Sequence, residues 1–235
     1  MWNPVAALLG ADREVVTYDM IGHAQAPRPE GPYSLEMFVE QLRDVIASFG
    51  GTRHEGRVPV DVVGFSMGAL VAQGFAVESP DRVRRLALLH SVFDRTDEER
   101  AAIVTRVAEV RAGGFPASID AALERWFTPA FLAANPAVVA EVRRILEAND
   151  VDAYANAYEV FATADSALVS RTPGIDCETL VLTGEHDRRS TPEMSKRLAA
   201  TVMSGEAVVV PALRHLAPVE APDIVARYLR TFFDR

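Results

Sequence analysis

The chain reads as an α/β fold: a mostly parallel sheet flanked by helices, with a helical segment inserted between two strands. Three observations predict this. Short β-branched runs alternate with amphipathic helical patterns. The runs are continuously apolar, as strands buried on both faces are. From about Arg95 to Thr172 the alternation stops, leaving helical periodicity without a strand signal.

Taken in order, Val15-Val16-Thr17-Tyr18 reads as a strand ending at Asp19. Ser34 to Phe49 reads as a helix, with Ser34 able to N-cap and an apolar stripe at Leu35, Phe38, Val39, Leu42, Val45 and Ile46. Val60 to Gly64 is the second strand, followed by a helix over Met67 to Val77. Leu86 to Leu89, Thr179 to Thr183 and Ala207 to Val210 complete the strands. Helices over Pro192 to Ala200 and Pro222 to Phe233 follow the last two. The core is therefore expected over residues 1–94 and 173–235.

Residues 95–172 form the expected insertion. Helical patterns over Thr96 to Arg111, Ala117 to Trp126, Pro136 to Ala148 and Asp152 to Ala162 are divided by Gly113-Gly114, Pro116, Pro129 and Asn149. A lid over a pocket is the functional reading of such a segment; a structural excursion is the plain one.

With 235 residues, 49% of them hydrophobic, the chain suits one domain with a small inserted unit. A net charge of −9 repels phosphate backbones and argues against nucleic-acid binding. One cysteine, Cys177, permits no intrachain disulfide. No apolar run is long enough for a bilayer, and the N-terminus lacks a basic, then apolar, signal pattern. The expectation is a soluble cytoplasmic protein without membrane partners, with homo-oligomerisation left open.

The chemistry centres on Gly64-Phe65-Ser66-Met67-Gly68, a G-x-S-x-G turn directly after a strand and before a helix. Such a turn holds the serine in a strained conformation and pushes its hydroxyl out at the carboxyl end of the sheet. Small residues at Gly64 and Gly68 are expected to let strand and helix approach. The N–H of Met67, at the helix N-terminus, is the expected oxyanion donor.

A serine hydroxyl needs a base, and that base needs a carboxylate to fix its tautomer. His215 follows the last strand and is the expected base. His54 reads as a solvated loop residue, His186 as part of a turn, and His23 as lying in the loop after the first strand. His90 ends a strand, where it is expected to line the pocket wall or to be simply buried. Asp187, closing the loop Gly184-Glu185-His186-Asp187, is the leading acid; Glu185 is a weaker choice and Asp94 a rival.

These residues resemble the α/β-hydrolase superfamily across nearly the whole chain. Asp19-Met20-Ile21-Gly22-His23 is similar to its D-x-x-G-x-G-x-S loop, Gly64 to Gly68 to its nucleophile elbow, Gly184 to Asp187 to its acid turn, and His215 to its base. The segment Arg125 to Phe131 is similar to the lid of enol-lactonases that open β-ketoadipate enol-lactone. Ala24 and Ala26 depart from the family, standing where glycine and serine are usual, so a reshaped loop is expected. The family's opening strands and His-Gly turn, which supplies a second oxyanion donor, have no counterpart in the sequence. Met1-Trp2-Asn3-Pro4-Val5 resembles the helix just after that turn, so Met1 is expected to be an internal methionine of a longer product. The strand between those ending at Asp19 and Gly64 is also expected to be missing. That would leave a gap in the sheet, a rearranged sheet, or a place for a second chain.

The resemblance implies a serine hydrolase acting on a small ester or lactone through an acyl-enzyme. The triad would be Ser66, Asp187 and His215, and Trp126, Phe127, Phe131 and His90 are expected around the substrate. Arg125 is an exposed arginine in the plain reading and a partner for a substrate carboxylate in the functional one. No metal cluster or phosphate-cradling loop is readable, so no cofactor is expected. A hydrolase of C–C bonds in ring-cleavage products would use the same triad, and a catalytically impaired binding protein is the rival of another class. Epoxide and haloalkane hydrolysis are disfavoured, because those branches place aspartate where Ser66 stands.

Overall fold

The structure is a computed structural model describing residues 1–50, 58–113 and 116–235. Four strands, β1 (Val60–Phe65), β2 (Val83–Leu89), β3 (Glu178–Gly184) and β4 (Ser204–Val210), pair in that order in one parallel sheet. The helices are α1 (Asn3–Leu9), α2 (Leu35–Gly50), α3 (Met67–Glu78), α4 (Asp97–Gly113), α5 (Pro116–Trp126), α6 (Pro129–Ala134), α7 (Pro136–Glu147), α8 (Val151–Val169), α9 (Pro192–Thr201), α10 (Ala217–Glu220) and α11 (Pro222–Phe233).

Both faces of the central strands β2 and β3 are largely buried, which explains why these strands read as unbroken apolar runs. Leu86 and Leu88 of β2 and Val181 of β3 point into a core shared with α2, α3, α8 and α9. Their neighbours Ala87, Leu89, Leu180 and Leu182 point the other way, against α1 and α11. Each fully buried leucine contributes roughly 1.5–3 kcal/mol relative to an exposed one.

The insertion runs from α4 to α8 between β2 and β3. Its helices start where side chains can cap them. Thr96 and Glu99 bond each other's backbone N–H at the head of α4, at 2.8 and 3.2 Å. Asp150 caps α8 through the Ala153 N–H at 2.9 Å. The short helix α6, capped by Thr128, was not anticipated by the apolar pattern. The insertion has its own small core of Val110, Ile119, Leu123 and Phe127, closed by Leu216 from the main domain. A buried ion pair ties its far end down: Arg95, just after β2, meets Asp165 of α8 at 2.6 Å, and Arg100 meets the same carboxylate at 3.2 Å.

One expected strand is absent. Residues 14–20 run without strand pairing, and Val15 and Val16 are 36% and 40% exposed. A strand needs a neighbour to complete its backbone hydrogen bonds. Here β1 is an edge strand of the described sheet, and the Gln41 side chain of α2 stands in for a neighbour. Its amide accepts from Ile21 N–H and donates to Asp19 C=O, both at 3.0 Å. In the following loop Ala24 itself takes a left-handed φ of 44°, so that turn survives without glycine.

Candidate active site

The strand ends gather the chemistry. Ser66 N–H bonds Leu89 C=O at 2.8 Å, and His90 N–H bonds Leu182 C=O at 2.7 Å. The ends of β1, β2 and β3 are thus held side by side at the carboxyl edge of the sheet. The loop after β3 is joined to the loop after β4 by His186 N–H to Leu213 C=O at 2.8 Å, and by Ala212 N–H to Glu185 Oε2 at 2.9 Å.

Ser66 stands between β1 and α3 with φ 53° and ψ −116°, a conformation that L residues rarely adopt. Gly64 is the residue that permits the turn. A Cβ there would overlap the Gly68 carbonyl oxygen and lie 2.6 Å from Ala69 Cα. Gly68, expected to share this duty, has open space where its Cβ would be.

The hydroxyl Oγ of Ser66 lies 3.1 Å from His215 Nε2, and His215 Nδ1 lies 2.6 Å from Asp187 Oδ2. The second carboxylate oxygen, Oδ1, accepts the N–H groups of Arg189 and Ser190, each at 3.0 Å. Burial opposes ionisation of Asp187, but the charge and hydrogen bonds of His215 and His90 outweigh it and hold the carboxyl well below the usual carboxylate range. The structure thus brings Ser66, His215 and Asp187 into one chain of hydrogen bonds, and Met67 lies beside them as the first residue of α3.

The competing residues lie elsewhere. Glu185 supports the His215 loop through Ala212. Asp94 is exposed, and its carbonyl accepts from Arg197. His186 is exposed, whereas His23 Nδ1 donates to Ile21 C=O, 3.1 Å away, and His23 lines the cavity. His54 lies outside the described residues.

A cavity of about 200 Å³ opens between this edge and the insertion. Trp126 lines it, with its ring 6.4 Å from that of His215. Three expected wall residues do not line it. Phe127 is fully buried and stacks on Phe131 at 4.8 Å; their apolar rings fill the insertion's own core instead. His90 is also displaced from its expected place on the wall. It is fully buried behind the triad, with Nδ1 2.8 Å from Asp187 Oδ2. The other aromatic residues that line the cavity, Tyr154, Tyr158 and Phe161, come from α8. Their i, i+4 and i+3 spacing on one helix face was the available signal.

His90, Asp187 and His215 offer ligand atoms within 4.8 Å of one another, the cluster of the described residues with metal-ligand geometry. Their contacts are those of hydrogen bonds, and the free nitrogen of His215 faces Ser66. A metal would have to displace both Nδ1 protons from Asp187, so the residues fit a proton relay better. No helix among the described residues is long and apolar enough to cross a membrane.

Comparison with known proteins places this geometry among relatives. The model of the Alpha/beta hydrolase family matches residues 1–228. The (E)-2-((N-methylformamido)methylene)succinate hydrolase of Acinetobacter baylyi is 30% identical over 99% of this chain and 85% of its own length. The 3-oxoadipate enol-lactonase 2 of the same organism is 28% identical over 94% of this chain and 79% of its own. Among solved structures, an enol-lactonase from Burkholderia xenovorans superposes with a TM-score of 0.88 at 27% identity, covering 100% of this chain and 86% of that one.

Proposed function

The chain belongs to the alpha/beta hydrolase family, and from that premise we propose that it cleaves a carboxylic ester or lactone through an acyl-enzyme formed on Ser66. The observation that carries this reading is the continuous run Ser66 Oγ, His215, Asp187, with spacings of 3.1 and 2.6 Å. Both fall within hydrogen-bond reach, as nucleophile and base must.

In this reading His215 Nε2 takes the Ser66 proton as Oγ attacks the carbonyl carbon. The carbonyl oxygen becomes an oxyanion facing the Met67 N–H at the head of α3. Asp187 holds His215 in the tautomer with Nδ1 protonated and stabilises the imidazolium. His215 then protonates the departing alkoxide, which in a lactone stays attached through the acyl chain. A water molecule, deprotonated by His215, releases the acid and restores Ser66. Trp126 covers the base on the cavity side and limits water access. The relatives named as enol-lactonases support the lactone branch.

The test is labelling with a fluorophosphonate. Wild type should be labelled and Ser66→Ala should not, with hydrolysis of a short 4-nitrophenyl ester lost in parallel. A wild type that stays unlabelled, while folded by circular dichroism, overturns the reading. Turnover of an enol-lactone against simple esters then sorts the substrate.

A further inference from the structure

The cavity next to Ser66 is cationic, although the chain carries a net charge of −9. Arg106 of α4, Arg125 of α5, and Arg188 and Arg189 of the Asp187 loop all line it. None of the four forms an ion pair among the described residues. The lining carboxylates are Glu99 and Asp187, and both are engaged: Glu99 with the Thr96 N–H and Asp187 with two histidines. The lining arginines outnumber these two carboxylates, and neither carboxylate pairs with the guanidinium of any of the four among the described residues.

Arg125 feels this most. Burial, and then the like charges of Arg106 and Arg189, pull its guanidinium below the ordinary arginine range. A half-buried cation beside two others is unfavourable until an anion joins it. A second, independent sign lies deeper. Arg95 also lines the cavity and is 3% exposed. One edge of its guanidinium serves Asp165, and Phe161 lies against its face at 4.9 Å. Its Nε and Nη1 are buried with no acceptor among the described residues. Buried donors left without a partner are costly, and a bound acceptor would relieve them.

We propose that Arg125, flanked by Arg106 and Arg189, forms a carboxylate-binding subsite between the insertion and the core, so that the substrate opened at Ser66 carries a free carboxylate. This rests on the hydrolase reading above and adds the charge of the substrate to it. Guanidinium groups suit the role, because their planar donors pair with both oxygens of a carboxylate. The anion also matches the long-range field of the cavity rather than that of the whole surface. The three arginines sit on elements from both sides of the cavity, so a bound carboxylate would bridge α4 and α5 to the acid loop. Binding would hold the reacting carbonyl at a set distance from Ser66.

The test compares two esters of equal length, the mono-4-nitrophenyl ester of adipic acid and 4-nitrophenyl hexanoate, which differ by a carboxylate in place of a terminal methyl. Wild type should show kcat/KM at least tenfold higher for the adipate ester, a preference that shrinks as salt is raised. In Arg125→Gln that ratio should fall toward one, and Arg106→Gln and Arg189→Gln should each lower it in part. In parallel, calorimetry on Ser66→Ala compares monomethyl adipate with methyl hexanoate, where tenfold tighter binding of the adipate ester is expected. Equal or reversed preference in wild-type kinetics, or equal affinity in the calorimetry, overturns the subsite. Either result leaves the hydrolase reading standing if fluorophosphonate still labels Ser66. An unlabelled Ser66 with the binding preference intact overturns the hydrolase reading and keeps the subsite.

Discussion

His90 and His215 aim their Nδ1 atoms at the same oxygen of Asp187, from 2.8 and 2.6 Å. For both contacts to be hydrogen bonds, each ring must carry its proton on Nδ1 while Asp187 is ionised. The Nε2 of His90 is buried without a partner among the described residues. A bare ring nitrogen tolerates that better than an N–H would, so the neutral Nδ1–H tautomer follows. Burial, opposed by Asp187 and reinforced by the charge of His215, lowers the His90 pKa and keeps the ring neutral.

That neutrality makes stability depend on pH. His90 has an ordinary value of 6.5, lowered in the folded state. Between those two values the unfolded chain binds the extra proton, so stability falls as pH drops below 6.5. The slope from one such group is at most about 1.4 kcal/mol per pH unit. His90→Asn retains a donor near Nδ1 and cannot titrate. Urea unfolding at pH 7, 6 and 5 should show the wild type losing more stability than His90→Asn over that range. Parallel losses would refute the neutral-histidine account.

Asp187 shifts in the same sense by another route. Its folded carboxyl lies below the ordinary 3.8, so its stabilising contribution is complete above that value and is lost only in stronger acid. Asp187→Asn should remove that acid-side loss while reducing kcat about 10⁴-fold, as expected where the base loses the partner that sets its tautomer. A kcat within tenfold of wild type would exclude Asp187 as the acid.

The backbone at Ser66 predicts a split between stability and activity. With φ at 53°, glycine is the residue that relieves the strain. Ser66→Gly should be more stable than Ser66→Ala by about 1–2 kcal/mol, and both should be inactive. Equal melting temperatures would show that the turn is unstrained.

The two glycines around the serine should respond differently. Gly64→Ala forces a Cβ into the backbone of Gly68 and Ala69 and should cost about 3 kcal/mol or more, or prevent folding. Gly68→Ala meets open space inside a helix and should be neutral, or stabilising by up to about 1 kcal/mol. Chemical denaturation of the two variants separates them.

The Arg95–Asp165 pair is nearly inaccessible to solvent on both sides. Asp165→Ala leaves the buried Arg95 guanidinium without its anion and should cost about 3–5 kcal/mol. Limited proteolysis should then cut first within residues 95–172. Uniform cleavage across the chain would mean that the pair does not anchor the insertion.

Much of the fold and of the site was legible because both depend on short-range pattern. Continuous apolar runs reported the doubly covered sheet, and G-x-S-x-G between a strand and a helix located Ser66. Chain order, set against loop position, separated Asp187 and His215 from their rivals. What stayed hidden depends on contacts distant in sequence. Val15 to Tyr18 have strand chemistry, but pairing depends on a neighbour that local sequence cannot supply. Phe127 and Phe131 looked like pocket walls because burial against the insertion and against the cavity leave the same apolar signature. His90 ends its strand at the expected place, yet only the fold shows that its ring points behind Asp187. The arginines reach one cavity from three separate segments, and no spacing along the chain brings Arg106, Arg125 and Arg189 together.

The segment around Trp126 is fastened to the stretch that carries His215. Leu216 N–H bonds Trp126 C=O at 2.9 Å, Arg214 reaches Phe127 C=O at 3.0 Å and Glu124 C=O, and both the N–H and hydroxyl of Thr128 bond Glu220. This stretch of the insertion is riveted to the segment that carries His215 and cannot swing away without pulling that imidazole off Ser66. In the proposed hydrolase, substrate would enter where the riveting ends, on the side of α4 and α8, and a variant that loosens those helices would change the traffic of molecules before it changed the bond-breaking step.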